Sequence, residues 1–245
     1  MTVFMPFPEP RIEARFVHRH NRFVAEFVDA GGATLLAHTA NTGTLKGCLH
    51  PGGRCVLWKS DNPARKYPLS WKAIEVGQTW VGIDTGLPNS LVAEAVRAGC
   101  FTDLGEVYEV RREVKMGKSS RVDMVVDGPG GQTWIEVKNV TLVDGDFALF
   151  PDAVTTRGRK HLDELVDRVA EGHRAAMVYV VQRADGHVFA PADEIDPEYG
   201  TALRRACKAG VTIWPLGCTV TPEGVRVDGL LPYDLSRTVV QKRKD

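Results

Sequence analysis

The 245-residue sequence predicts two domains in tandem, a small all-β barrel followed by an α/β domain built on a mixed sheet. Three observations carry this expectation. Apolar residues alternate in short segments from residue 11 to 84, the period changes to that of a helix near residue 86, and helical and strand patterns then take turns. The length suits one large domain or two ordinary ones. Hydrophobic residues make up 43% and charged residues 25%, the balance of an ordinary globular chain, which suggests neither disorder nor a membrane class.

In the first domain, assigned to residues 1–85, the strands are "IEARFV", "RFVAEFV", "ATLLAHT", "RCVLWK", "AIEV" and "TWVGID". Gly, Pro and Asn punctuate them, which favours strands over helices. Five or six short strands in about 75 residues suggest a closed or partly open barrel, OB-fold-like or SH3-like.

The second domain, residues 86–245, opens with "GLPNSLVAEAVRAGC". There Leu91, Val92, Ala95 and Val96 share one helical face, Asn89 or Ser90 is the expected N-cap, and Gly99 is the stop. "EVYEVRREV", "RVDMVVD" and "QTWIEVKNV" follow as three strands, the last two joined by the turn residues "GPGG". "TTRGRKHLDELVDRVAEGH" repeats its apolar positions at Leu162, Leu165, Val166 and Val169, as an amphipathic helix does. "AAMVYVVQR" is apolar throughout, as a strand covered on both faces should be. A helix, "EYGTALRRACKAG", and a strand, "VTIWPLG", complete a mixed α/β sheet.

The longest apolar run, "AAMVYVV", is far short of the roughly 20 residues of a membrane helix, and the N-terminus carries no secretory pattern. A cytoplasmic protein with no membrane partner is expected. Cys48, Cys55, Cys100, Cys207 and Cys218 are scattered and form no C-x-x-C pair, so they read as reduced thiols. The formal net charge is zero, but residues 1–85 carry 10 Lys/Arg against 7 Asp/Glu and residues 86–245 carry 21 against 24. Positive charge thus sits on the first part and acid on the second, as in a binding module joined to a metal-using one.

The hairpin in "SSRVDMVVDGPGGQTWIEVKNV" holds the residues most pointed toward chemistry. Glu136 and Lys138 share a strand face, because side chains two apart point the same way. A turn about Pro129 sets residues whose numbers sum to about 259 opposite one another, which brings Asp123 against Glu136. Opposed like charges destabilise a sheet, and a divalent cation is the natural device for holding both acids ionised. Mg²⁺ suits one or two carboxylates and keeps room for a phosphate oxygen, so a Mg or Mn site for phosphodiester hydrolysis is expected, with Lys138 adding positive charge. The alternative is a solvated strand face whose charges serve solubility.

Nucleic-acid contacts are expected in "LWKSDNPARKYPLSWK", where Trp58, Tyr67 and Trp71 alternate with Lys59, Arg65, Lys66 and Lys72, stacking faces beside phosphate-neutralising cations, with burial of an aromatic in the barrel core as the alternative for each. The helix start "TTRGRKHL" adds Arg157, Arg159, Lys160 and His161 near a positive helix end. Asp144, Asp146 and Asp152 read first as turn and cap residues. "HTANTG", with His38, Asn41 and Thr42, reads as a polar turn. "KMGKSS" lacks the first glycine of a phosphate loop, since position 112 is Arg.

An acid, then Glu-x-Lys on the next strand, then a basic helix start, resembles the PD-(D/E)XK nuclease superfamily. In that resemblance Asp123, Glu136 and Lys138 take the motif positions, with Val122 in place of its proline. It also implies a further acid, for which Glu94 and Glu113 are the candidates. Longer stretches, "HTANTGTLKGCLHPG", "SDNPARKYPLSWKAIEV", "TWVGIDTGLPNSLVAEAV", "WIEVKNVTL" and "FPDAVTTRGRKHLDEL", resemble the SfsA, or sugar fermentation stimulation, family over residues 11–232. That resemblance implies an N-terminal OB-fold, a nuclease-like C-terminal domain, DNA binding to single or double strands, and a role in regulating sugar metabolism. It implies no demonstrated cleavage. A metal-dependent endonuclease or exonuclease and a non-catalytic regulator acting through DNA, protein or metabolite are the two expectations, and either is compatible with a homo-oligomer.

Overall fold

The structure, a computed structural model, describes residues 3–116 and 120–237, so Gly117, Lys118 and Ser119 of "KMGKSS" lie outside it. Strand β1 (Phe4–Pro6) precedes six barrel strands, β2 (Arg11–Asn21), β3 (Val24–Val28), β4 (Thr34–His38), β5 (Arg54–Lys59), β6 (Leu69–Val76) and β7 (Thr79–Gly82). They hydrogen-bond in the order β4-β3-β2-β5-β6-β7, and a parallel contact between β4 and β6 closes the barrel. All six expected strand segments are present. Ala25, Phe27, Leu57, Ile74 and Val81 fill the interior.

Trp71 belongs to that interior, which corrects its expected place at a nucleic-acid surface. It is 1% exposed, stacks on Phe16 at 5.3 Å between ring centroids and meets Phe27 edge-on at 5.2 Å. The physical reason is the period of β6: Leu69 and Trp71 point into the barrel, so Ser70 and Lys72 point out. Trp71 and Lys72 therefore cannot serve one surface.

The second domain runs α1 (Leu87–Arg97), β8 (Glu109–Met116), β9 (Ser120–Gly128), β10 (Gly131–Val140), β11 (Leu142–Asp144), β12 (Phe147–Phe150), α2 (Thr156–Ala170), β13 (Arg174–Val181), β14 (Val188–Pro191), α3 (Pro197–Lys208), β15 (Thr212–Thr221) and β16 (Gly224–Leu230). Its main sheet has the order β1-β16-β15-β13-β10-β9-β8. The β10–β13 and β13–β15 pairs are parallel and the rest antiparallel, the mixed α/β sheet expected. Ala176, Val178 and Val180 of β13 pack with α1 on one face, while Met177, Tyr179 and Val181 pack with α2 and α3 on the other. That double burial accounts for the uninterrupted apolar run.

Three features depart from expectation. β1 crosses to the second domain and pairs with β16, so the first residues do not belong to the barrel; Gly224 allows this, because a Cβ there would run into the backbone of Met5 and Pro6. Helix α1 starts at Leu87, with Gly86 as its N-cap and Pro88 in its first turn, so neither Asn89 nor Ser90 caps it. Proline is favoured in a first turn because its missing N–H would be unpaired there anyway. Finally, β11 and β12, in the stretch of Asp144 and Asp146 read as turn residues, form a small second sheet with β14.

The two domains are joined by more than a linker. Val56 and Ala73 of the barrel enter the core around α1. The loop after β4 is held by Asp152, which accepts from Leu45 N at 2.9 Å, while Thr44 Oγ1 donates to the Asp152 carbonyl at 2.8 Å. Leu45 sits at φ 53° with its side chain fully buried, so its backbone geometry is fixed by the packing around it. Cys48, Cys55 and Cys218 are buried free thiols; burial pushes the Cys48 thiol up to about 11 and keeps it unreactive. Among the described residues no helix is long and apolar enough to cross a membrane.

Candidate active site

Strands β9 and β10 pair from Gly128 opposite Gly131 to Met124 opposite Ile135, every pair summing to 259. The next pair would be Asp123 with Glu136, and there the ladder stops. Asp123 Oδ2 instead accepts the backbone N–H of Val137 at 2.8 Å, and Oδ1 accepts from Asn89 Nδ2, in the first turn of α1, at 2.8 Å. Val122 packs on the α2 side of the sheet and Met124 on the α1 side, although residues two apart in a regular strand share a face. The chain thus turns over at Asp123. On the neighbouring strand β8 the ladder also skips Glu113, which sits at φ 53°.

The parting of the strands exposes Asp123, Glu136 and Lys138 to a cleft of about 650 Å³ between the domains. Arg22, Asn41 and Thr42 line it from the barrel, Asn89 from α1, Asp152 from the segment after β12, and Arg157 and His161 from α2. Glu136 is 2% exposed, and its Oε1 accepts from Lys138 Nζ at 2.6 Å and from His161 Nδ1. Arg157 Nε donates to His161 Nε2 at 3.3 Å, which leaves Nδ1 to carry the ring proton toward Glu136. Arg157 and His161 are four apart on α2 and therefore share a face.

The two carboxylates are tuned in opposite directions. Burial opposes ionisation of Glu136, but the His161 hydrogen bond and the Lys138 charge outweigh it and hold this carboxyl below its ordinary range. Burial, followed by the charge of Glu136, raises Asp123, despite the donors Val137 N and Asn89 and the charge of Lys138. A raised folded-state pKa contributes stability that is full below the unfolded value of about 4 and is lost as pH rises through the folded value. In metal-free buffer at neutral pH, Asp123→Asn should therefore melt at a higher temperature than the wild type, with the gap closing toward pH 4. A variant that melts lower at every pH would contradict this assignment.

The donor set fits a divalent cation. Among the described residues Glu136 Oε2 is buried with no hydrogen-bond partner, an unusual cost for a carboxylate and one that a cation would remove. Asp123 and Glu136 are hard oxygen donors of the kind Mg²⁺ or Mn²⁺ accepts.

The other sequence-derived candidates lie elsewhere. Glu94 pairs with Arg97 at 2.7 Å on the exposed flank of α1, and Glu113 is exposed on β8, so neither lines the cleft. Asn89 faces Asp123, and Glu94 lies five residues on, about 140° around the helix. Trp58 is half-buried, its Nε1 donating to Glu9 O at 3.2 Å and its ring met by Arg65 at 5.6 Å and Lys72 at 5.1 Å. Lys72 also pairs with Asp84, Lys66 lies over Tyr67 at 5.4 Å, and Lys59 is exposed. None of these lines the cleft. On α2, Arg159 pairs with Asp196 and Glu198, and Lys160 with Glu164, both turned away from it. Arg22, Asn41, Thr42 and Asn89 were not legible as site residues: a strand start, a polar turn and a helix start look alike in sequence whether or not a cleft adjoins them.

A closed six-stranded barrel joined to an α/β domain on a mixed sheet, with two acids and a lysine facing an interdomain cleft where the central strands part, defines a two-domain protein with a candidate metal-binding cleft. The family model "SfsA N-terminal OB domain" matches residues 17–83, and "Sugar fermentation stimulation protein RE domain" matches residues 86–224. The chain belongs to the SfsA, or sugar fermentation stimulation, family. It is 46% identical to the sugar fermentation stimulation protein homolog of Pelobacter propionicus, over 92% of this chain and 98% of that one. It is 47% identical to the homolog of Geobacter metallireducens, over 94% of this chain and all of that one. The solved structure of Pyrococcus furiosus SfsA in complex with Ca²⁺ superposes with a TM-score of 0.86 at 26% identity, covering 96% of this chain and 99% of the other.

Proposed function

We propose that this protein binds DNA across the interdomain cleft and hydrolyses phosphodiester bonds there with Mg²⁺ or Mn²⁺. The observation that carries the reading is the buried Glu136, with one carboxylate oxygen unpartnered, beside Asp123 and Lys138 at the parting of β9 and β10. The Ca²⁺ complex of the Pyrococcus relative supports a divalent cation on this fold. Asp123 and Glu136 would hold the metal, which supplies a polarised phosphoryl oxygen and an acidified water. Asn89 and Val137 N–H keep the Asp123 carboxylate aimed. Lys138 Nζ stabilises the negative charge that develops on the phosphate. Arg22 from the barrel and Arg157 from α2 hold backbone phosphates on either side. A cytoplasmic setting fits five free cysteines.

The test is to incubate labelled single- and double-stranded DNA with purified protein in Mg²⁺, Mn²⁺, Ca²⁺ or EDTA, scoring binding and cleavage together. Salt-sensitive binding with cleavage only in Mg²⁺ or Mn²⁺ is expected. Binding without cleavage in every condition would replace the nuclease with a DNA-binding regulator, and absence of both would remove DNA as the partner.

A further inference from the structure

Away from the cleft, the outer face of the barrel carries a second set of ligand-type side chains. His18 Nε2 and His20 Nδ1 are 2.9 Å apart, and His20 Nε2 lies 2.9 Å from Glu26 Oε2. His18 Nδ1 is 3.9 Å from the same oxygen, and one ligand atom from each residue can be chosen so that all three lie within 4.8 Å of one another. Among the described residues this is the single group of three such side chains so placed.

The backbone explains how they come together. In an unbroken strand His18 and His20 would follow Ala14 and Phe16 into the barrel core. A register shift between Phe16 and His18 turns them to the outer face, where His18 pairs with Glu26 on β3. Arg19, between them, points the other way, donating to the carbonyls of Gly43 at 2.7 Å and Asn41 at 2.5 Å in the cleft loop. The hydrogen-bonded series His18, His20, Glu26 holds the two rings in place, with centroids 4.0 Å apart.

The geometry points to a transition-metal site of the zinc class at His18, His20 and Glu26, distinct from the cleft. Two imidazoles and one carboxylate are donors that Zn²⁺ accepts at about 2.0–2.2 Å, which places tetrahedral ligands roughly 3.3 Å apart; with His18 Nδ1, His20 Nε2 and Glu26 Oε2 as the set, the carboxylate oxygen already lies 3.9 Å and 2.9 Å from the two nitrogens. Imidazole nitrogen disfavours Mg²⁺ and Ca²⁺, so the two sites select different ions. Three protein ligands on an exposed face leave a fourth position for water or a partner's side chain. Metal here would clamp β2 to β3 in the stretch whose Arg19 holds the cleft loop.

The test uses untagged full-length protein dialysed against Zn²⁺ and Co²⁺ in excess Mg²⁺, with bound metal measured by elemental analysis and the cobalt visible spectrum recorded. Wild type and Asp123→Asn should each retain one ion that Mg²⁺ does not displace. The His18→Ala/His20→Ala double variant should lose it, and Glu26→Gln should weaken it roughly tenfold. His18 and His20 are exposed and Glu26 is half-buried on the same face, and circular dichroism confirms that each variant folds. Equal zinc in the double variant and the wild type, or no Mg²⁺-resistant ion in the wild type, would overturn the site.

Discussion

Lys138→Met and Asp123→Asn proteins should bind labelled DNA as the wild type does and cut it, in Mg²⁺, at least about 100-fold more slowly, the usual cost of removing one group that stabilises developing charge. Lys138 reaches Glu136 Oε1 at 2.6 Å and lines the cleft, yet the Glu136 charge keeps His161 as a second partner when the ammonium is gone. The fold should therefore survive, and the loss should appear in kcat with little change in KM. Asp123→Asn preserves the shape that Val137 N–H and Asn89 hold, but removes a hard anionic donor. That one substitution is expected to stabilise the metal-free protein while disabling it, as when an active site holds a charge at a cost to stability. Wild-type cleavage rates in the Lys138 variant would show that the hydrolysis belongs to another site or to a contaminant.

Trp71→Ala should destabilise the protein by about 3–5 kcal/mol, the range for deleting a large aromatic from a packed core. Domains of this kind are stable by only about 5–15 kcal/mol, so the loss is a large share of the total. Trp71 is enclosed by Phe16 and Phe27, and its Nε1 donates to Ala73 O at 3.0 Å, so truncation leaves a cavity and removes that hydrogen bond. Trp58→Ala, at a half-buried position on β5, should cost much less. Urea unfolding followed by circular dichroism separates the two. A Trp71 variant as stable as the wild type but deficient in DNA binding would return this residue to the surface role its sequence context suggested.

The contrast between these tryptophans shows where sequence reasoning stops. Both stand among lysines and arginines in "LWKSDNPARKYPLSWK", and composition treats them alike. Which one faces inward depends on the register of β6 against β5, and that register shifts between Val56 and Leu57. Likewise, four cationic or ionisable residues open α2, but only Arg157 and His161 reach the cleft, because the helix's rotation is set by packing Leu162 and Leu165 under the sheet.

The chain alone determined what local periodicity can determine. Alternation marked the barrel strands, the unbroken apolar run marked β13, the turn "GPGG" set a hairpin register summing to 259, and that register placed Asp123 beside Glu136. These are properties of neighbours in sequence. Tertiary structure decided which distant segments meet there: the loop holding Asn41 and Thr42, the Asn89 side chain that aims Asp123, and the N-terminal strand that closes the second domain's sheet. Each depends on contacts between segments far apart in the chain. Such contacts follow from burying the two faces of one sheet and one side of a barrel together, and they leave no period in the sequence.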